Sequence, residues 1–128
     1  MKLAFVLLVF VAIAGACAPA APRTVAITIH YSHYSATQVA VPAGVPITFV
    51  ITNDDPIDHE WMLGDAAMHE RHRTGTEPVH ASRPDELTIP ARATRTTTLT
   101  FPTATTLLYM CQLPGHQTYG MVGMLVAK

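Results

Sequence analysis

The sequence predicts an all-β fold, a Greek-key β-sandwich of about seven strands with one short helical insert near residues 65–73. Two observations lead there. Short runs rich in Thr, Val, Ile and aromatic residues recur along the chain, and ten prolines and seven glycines punctuate them, as expected of short strands joined by tight connections. One stretch alone, residues 65–73, is built from Ala, Met, Glu and Arg, which favour helix. At 128 residues and 49% hydrophobic, the chain can bury one core and gives no sign of a second domain.

The elements follow in order. Thr24-Val25-Ala26-Ile27-Thr28-Ile29-His30-Tyr31 alternates, placing Val25, Ile27, Ile29 and Tyr31 on one face of a first strand. Residues 32–40 show no clear period and leave room for a short edge strand ending at Val41-Pro42. Pro42-Ala43-Gly44 is a turn, residues 45–52 a strand and Asn53-Asp54-Asp55-Pro56 a loop. A strand resumes at His59-Glu60-Trp61-Met62-Leu63. Asp65, after Gly64, is placed to cap a helix of about two turns. Residues 74–84, rich in Gly, Pro and Thr, form an exposed loop. Strands at 87–90, 94–101, 105–111 and 121–127 complete an antiparallel sandwich.

The chain opens like an exported protein. Residues 1–16 combine Lys2, an apolar stretch over 3–13 and Ala14-Gly15-Ala16, as a signal peptide does. The apolar stretch falls short of the roughly 20 residues that span a bilayer. Two processing routes fit. Ala14-Gly15-Ala16-Cys17 resembles a bacterial lipobox with Cys17 as the acylated first residue, and the same residues fit an ordinary Ala-x-Ala cleavage. A cysteine just past a leader favours the lipoprotein. Residues 17–22 then form a Pro/Ala tether, and 23–128 the folded domain. The expected location is periplasmic or otherwise extracytoplasmic, with membrane contact only through the lipid. A net charge of −1, with eight Lys plus Arg scattered along the chain, excludes a nucleic-acid footprint.

The stretch Cys111-Gln112-Leu113-Pro114-Gly115-His116-Gln117-Thr118-Tyr119-Gly120-Met121 places a thiol, an imidazole and a thioether in one loop, spaced Cys-x4-His-x4-Met. Soft sulfur with imidazole selects copper, and one Cys with two His in a plane plus a long axial Met bond is the blue-copper arrangement. His59, at the end of the strand-like run 45–52 and its loop, supplies the second imidazole. The predicted ligands of one copper ion are therefore His59, Cys111, His116 and Met121. The cysteine count supports this. With Cys17 acylated, Cys111 is an unpaired thiol in an oxidising compartment, where pairing is the default. Metal ligation gives it a reason to persist; a Cys17–Cys111 disulfide is the rival explanation.

On these residues the chain resembles the cupredoxins, small blue-copper proteins, and its ligand loop resembles that of rusticyanin-like bacterial members. The similarity extends to Val41-Pro42-Ala43-Gly44-Val45-Pro46-Ile47-Thr48-Phe49-Val50, Asn53 and His59-Glu60-Trp61, and to Gly123-Met124-Leu125-Val126 as a closing strand. The resemblance implies a cupredoxin-like sandwich with a monomeric, non-enzymatic copper site. It also implies that His116 lies nearest the surface, with Leu113, Pro114 and Tyr119 as an apolar ring where a redox protein partner docks. Glu60 departs from the pattern. Many relatives carry Asn or Ser there, which ties the two ligand segments together; Glu60 either supports the ligands in that place or, as is commoner for a charged residue in a sandwich, turns outward and pairs with a base.

Further histidines occur at positions 30, 33, 69, 72 and 80. Asp65, His69 and His72 share a helix face at i, i+4 and i+7, which fits either a weaker second metal site or a solvated face. His30 and His33 read as surface or packing residues. Two functions fit the whole: a one-electron carrier between exported or membrane redox partners, cycling Cu(II)/Cu(I), or a periplasmic copper storage, delivery or tolerance protein. An enzyme is disfavoured, since the His-x-His motifs of multicopper enzymes are absent.

Overall fold

The structure, a computed structural model, describes residues 22–76 and 83–128. The signal peptide, Cys17 and its tether as far as residue 21, the middle of the 74–84 loop and His80 lie outside the described residues. Nine strands and one helix are present among those described. They are β1 (Arg23–His30), β2 (His33–Tyr34), β3 (Gln38–Val41), β4 (Pro46–Asn53), β5 (His59–Gly64), α1 (Ala66–Thr74), β6 (Glu86–Ile89), β7 (Thr94–Thr100), β8 (Thr105–Met110) and β9 (Val122–Ala127). They form two sheets, β2-β1-β4-β7 and β3-β9-β8-β5-β6, which pack as the expected all-β sandwich. The two strands beyond seven, β2 and β3, come from the 32–41 segment, where the sequence allowed one short edge strand.

The pairing is not wholly antiparallel. β1 runs parallel to β4, with Val25 beside Phe49, and β3 runs parallel to β9. The chain leaves the first sheet after β2, contributes β3 to the second, and returns for β4 in the direction of β1. No alternation of residues reports that excursion.

Alternation does set which side chains are inside. In β4, Ile47, Phe49, Ile51 and Asn53 are buried while the residues between them are less so. On the open face of β4, Thr48 and Thr52 pair with Thr98 and Thr94 of β7 at 3.1 Å, cross-strand contacts that suit a solvated sheet face. Trp61, the sole tryptophan, lies fully buried between Phe49 and Tyr109, with ring centroids 5.1 and 6.2 Å apart. Tyr109 is completely buried and donates to the Ala36 carbonyl. Burial pushes its phenol up to about 12. Its ring lies over its cross-strand neighbour Gly123, where a Cβ would meet Cζ at 2.1 Å.

The helix forms where expected. Asp65 accepts from Met68 N at 2.7 Å, and Gly75 (φ 67°) closes the C-terminus in the left-handed conformation, which glycine adopts without a Cβ clash. In the second sheet β5 pairs antiparallel with β8, Met62 opposite Met110. The start of β5 therefore meets the end of β8, which brings His59 and Cys111 to one end of the sandwich.

Candidate metal centre

Three side chains from two distant segments converge at that end. One ligand atom each from His59, Cys111 and His116 lie within 4.8 Å of one another, the only such group of three among the described residues. The Nδ1 atoms of His59 and His116 are 3.2 Å apart, and Cys111 Sγ is 3.2 Å from His116 Nδ1. His59 and Cys111 are completely buried; His116 is half-buried. Met121, also completely buried, belongs to the same corner through its backbone. Its carbonyl accepts from Cys111 N at 3.2 Å, and its N–H donates to the His116 carbonyl at 3.2 Å.

The loop between β8 and β9 is wound to make this possible. His116 N donates to Leu113 O and Tyr119 N to Gly115 O, while Gly115 (φ 85°) and Gly120 (φ 95°) take up conformations other residues rarely adopt.

The electrostatics suit a soft cation. Burial pushes the Cys111 thiol up, against the pull of the Glu60 and Leu113 N–H groups, and Glu60 N donates to Sγ at 3.3 Å. A thiolate in this interior therefore needs a cation. Burial, then the neighbouring His59, holds His116 below the ordinary imidazole value, and a neutral imidazole is the form that ligates. One buried sulfur and two imidazole nitrogens, one of them buried, fit copper.

The outer nitrogen of His59 is held by Asp55, whose Oδ2 lies 2.9 Å from Nε2. Asp55 also accepts from Tyr31 N (Oδ1) and Ser32 N (Oδ2), each at 2.7 Å. Burial alone would raise its carboxyl; the N–H groups of Ser32 and Tyr31 and the His59 ring bring it below the usual value. Buried Asn53 braces the loop, accepting from Asp55 N and donating to the carbonyls of Ile57, Ile89 and Pro90. Asp55 was not singled out from the sequence, because an aspartate four residues before a histidine in a loop carries no distinctive signal.

Of the two readings of Glu60, the supporting one fits and the outward one does not. Glu60 does not turn outward to a base: its Oε2 accepts from Gln112 N at 3.2 Å, and Tyr34 Oη donates to its carbonyl at 2.5 Å. With its own N–H on Cys111, Glu60 ties the two ligand segments together, the task expected of Asn or Ser. The antiparallel register of β5 and β8 sets it opposite Gln112, within reach of a longer side chain.

The Asp65, His69 and His72 set is not assembled as a metal site. Asp65 is spent as the cap. Buried His69 uses both ring nitrogens, on Leu108 O at 3.1 Å and Gln112 Nε2 at 3.0 Å, and His72 Nδ1 faces Glu86 at 3.7 Å. The helix face that the spacing predicts is turned onto the sheet rather than toward an ion. Around the centre, Leu113 packs partly against the core, Pro114 is exposed and Tyr119 is 67% exposed. His30 and His33 are exposed.

Fold and site together define a cupredoxin-like copper protein, and comparison with known proteins agrees. A family model described as a cupredoxin-like domain matches residues 3–79, more than half of the chain; the match includes His59 and ends before Cys111. The chain belongs to this family, and its cofactor is one copper ion. Among characterised relatives it is similar to the copper-resistant cuproprotein CopI of Pseudomonas aeruginosa, 27% identical over 84% of this chain and 77% of that protein. The protein of the same name from Rubrivivax gelatinosus is 29% identical over 84% and 68% respectively. Among solved structures it is similar to auracyanin A, a "blue" copper protein from Chloroflexus aurantiacus, at 26% identity, with a TM-score of 0.66 over 84% of this chain and all of the other.

Proposed function

We propose that the protein is a type 1 copper protein in which His59, Cys111 and His116, with Met121 as a weaker fourth donor, would hold the metal. The observation carrying this reading is the convergence, at one end of the sandwich, of two imidazole Nδ1 atoms and one buried sulfur from segments distant in sequence. Copper supplies one-electron chemistry, alternating between Cu(II) and Cu(I). The residues supply rigidity: two strand ends, a closed loop and the Glu60 tie hold the donors so that a change of charge moves them little. That geometry favours an electron carrier, not an enzyme, with transfer through His116 and a partner docking on Leu113, Pro114 and Tyr119. The signal peptide and Cys17 support an exported, extracytoplasmic protein, lipid-anchored where Cys17 is acylated.

A second reading, copper tolerance, is favoured by the two relatives named for copper resistance. It differs in what leaves the site. A carrier keeps its metal and exchanges electrons with a redox partner, whereas a handling protein releases copper to an acceptor. Incubating the Cu(I) form with a competing copper acceptor separates them: retention with reversible redox cycling supports the carrier, rapid loss the second reading. Both require thiolate ligation. The Cu(II) protein is expected to show an intense visible thiolate-to-copper charge-transfer band, and Cys111→Ser to abolish it. A variant that keeps the band overturns the assignment.

A further inference from the structure

The structure assigns a further working residue to this centre: Asp55 is the positioning residue of His59, and its carboxylate biases the bound copper toward the oxidised state. The inference rests on the copper reading above. An ionised carboxylate only accepts hydrogen bonds, so the 2.9 Å contact with Oδ2 places the ring proton on His59 Nε2 and leaves the Nδ1 lone pair facing His116 and Cys111. A carboxylate bonded to a ligating imidazole orients the ring and raises its basicity. The negative charge then favours Cu(II) over Cu(I).

The construction around Asp55 is specific. The residue is 5% exposed, and three donors from two places fill its oxygens: the His59 ring, and Tyr31 N and Ser32 N of one turn. Tyr31 (φ 50°) and Ser32 (φ 55°) both adopt the left-handed region, a costly conformation for side-chain-bearing residues that persists where the surroundings enforce it. The turn between β1 and β2 is thus wound so that two consecutive N–H groups meet this carboxylate. From the other side Asn53 Oδ1 fixes Asp55 N, and Arg92 N donates to Asp55 O at 3.1 Å. A carboxylate serving the turn alone would not need to reach a fully buried imidazole as well.

The test compares the copper-loaded parent with Asp55→Asn, which keeps the shape and removes the charge. Cu(II) affinity is expected to fall about 10–100-fold and Cu(I) affinity to fall less. Each tenfold widening of that gap raises the reduction potential by about 59 mV for one electron. In the reduced parent, nitrogen-edited NMR should find a solvent-protected proton on His59 Nε2. A Cu(II)/Cu(I) affinity ratio within about threefold of the parent's, under half a tenfold step, overturns the proposal. So does a parent whose His59 Nε2 carries no proton, a readout that stands even if Asp55→Asn fails to fold. A parent that shows no charge-transfer band sinks the copper reading itself; a coloured parent with an unshifted variant sinks only the role of Asp55.

Discussion

His59 and His116 present the same nitrogen to the same space from unlike settings. His59 is completely buried at the start of β5, and its other nitrogen is held by Asp55 in a loop braced through Asn53. His116 sits half-buried in a turn-rich loop beside exposed Pro114 and Tyr119. The chain divides two requirements that compete in one residue. One side of the centre supplies fixed geometry, and the other supplies access.

The largest expected effect comes from emptying each position in turn. His116→Gly opens a gap beside solvent, so added imidazole should restore the visible band. His59→Gly opens a gap in a closed interior, and restoration there should need at least about tenfold more imidazole, a difference of about 1.4 kcal/mol. Equal restoration would remove the distinction.

Next comes the brace on the rigid side. Asn53→Ala removes the amide that donates to the carbonyls of Ile57, Ile89 and Pro90, of which Pro90 O keeps the Ala93 N–H, and should destabilise the protein by about 2–4 kcal/mol, since buried acceptors that lose their donor cost about 1–3 kcal/mol each. Chemical denaturation reads this directly. A loss below about 0.5 kcal/mol, the level of an ordinary surface change, would mean that the loop holds without its brace.

The smallest effect concerns His69, which links α1 to Leu108 and to Gln112, the residue after Cys111. Burial holds its imidazole below the ordinary value, so the unfolded chain takes up this proton first. Its contribution to stability is complete above the unfolded pKa near 6.5 and declines as pH falls below it, by at most about 1.4 kcal/mol per pH unit. In His69→Gln this component of the acid sensitivity should vanish, measured as the difference in denaturation midpoint between pH 7.5 and 5.5. An unchanged difference would assign the sensitivity to other groups.

Much of this was legible in the chain. The strand over 46–53 follows from alternation, and the capped helix from Asp65. Cys111, His116 and Met121 are a local pattern, and a strand end supplies His59. The remainder is non-local. Parallel pairing of β1 with β4 depends on β3 crossing to the other sheet, which leaves no mark on periodicity. Glu60 looked like a surface charge because its partner, Gln112 N, lies 52 positions away. Asp55 looked like a turn residue, and it is one, but it also bonds His59 because the β1–β2 turn and the β4–β5 loop meet at the same end. The His69 and His72 spacing fits a shared helix face, yet that face packs inward, so one pattern served two outcomes that only the packing separates.

The hydrogen bond from Cys111 N to Met121 O closes the neck of the segment carrying three of the four proposed donors. Strands β8 and β9 are joined below that point by their own ladder, from Met110 opposite Val122 downward. What lies above the neck is therefore a cartridge: its length and composition can be exchanged while the frame beneath keeps its register. Redox tuning in a scaffold of this kind can proceed by swapping one short insert, with no need to rebuild the sheet that carries the other imidazole.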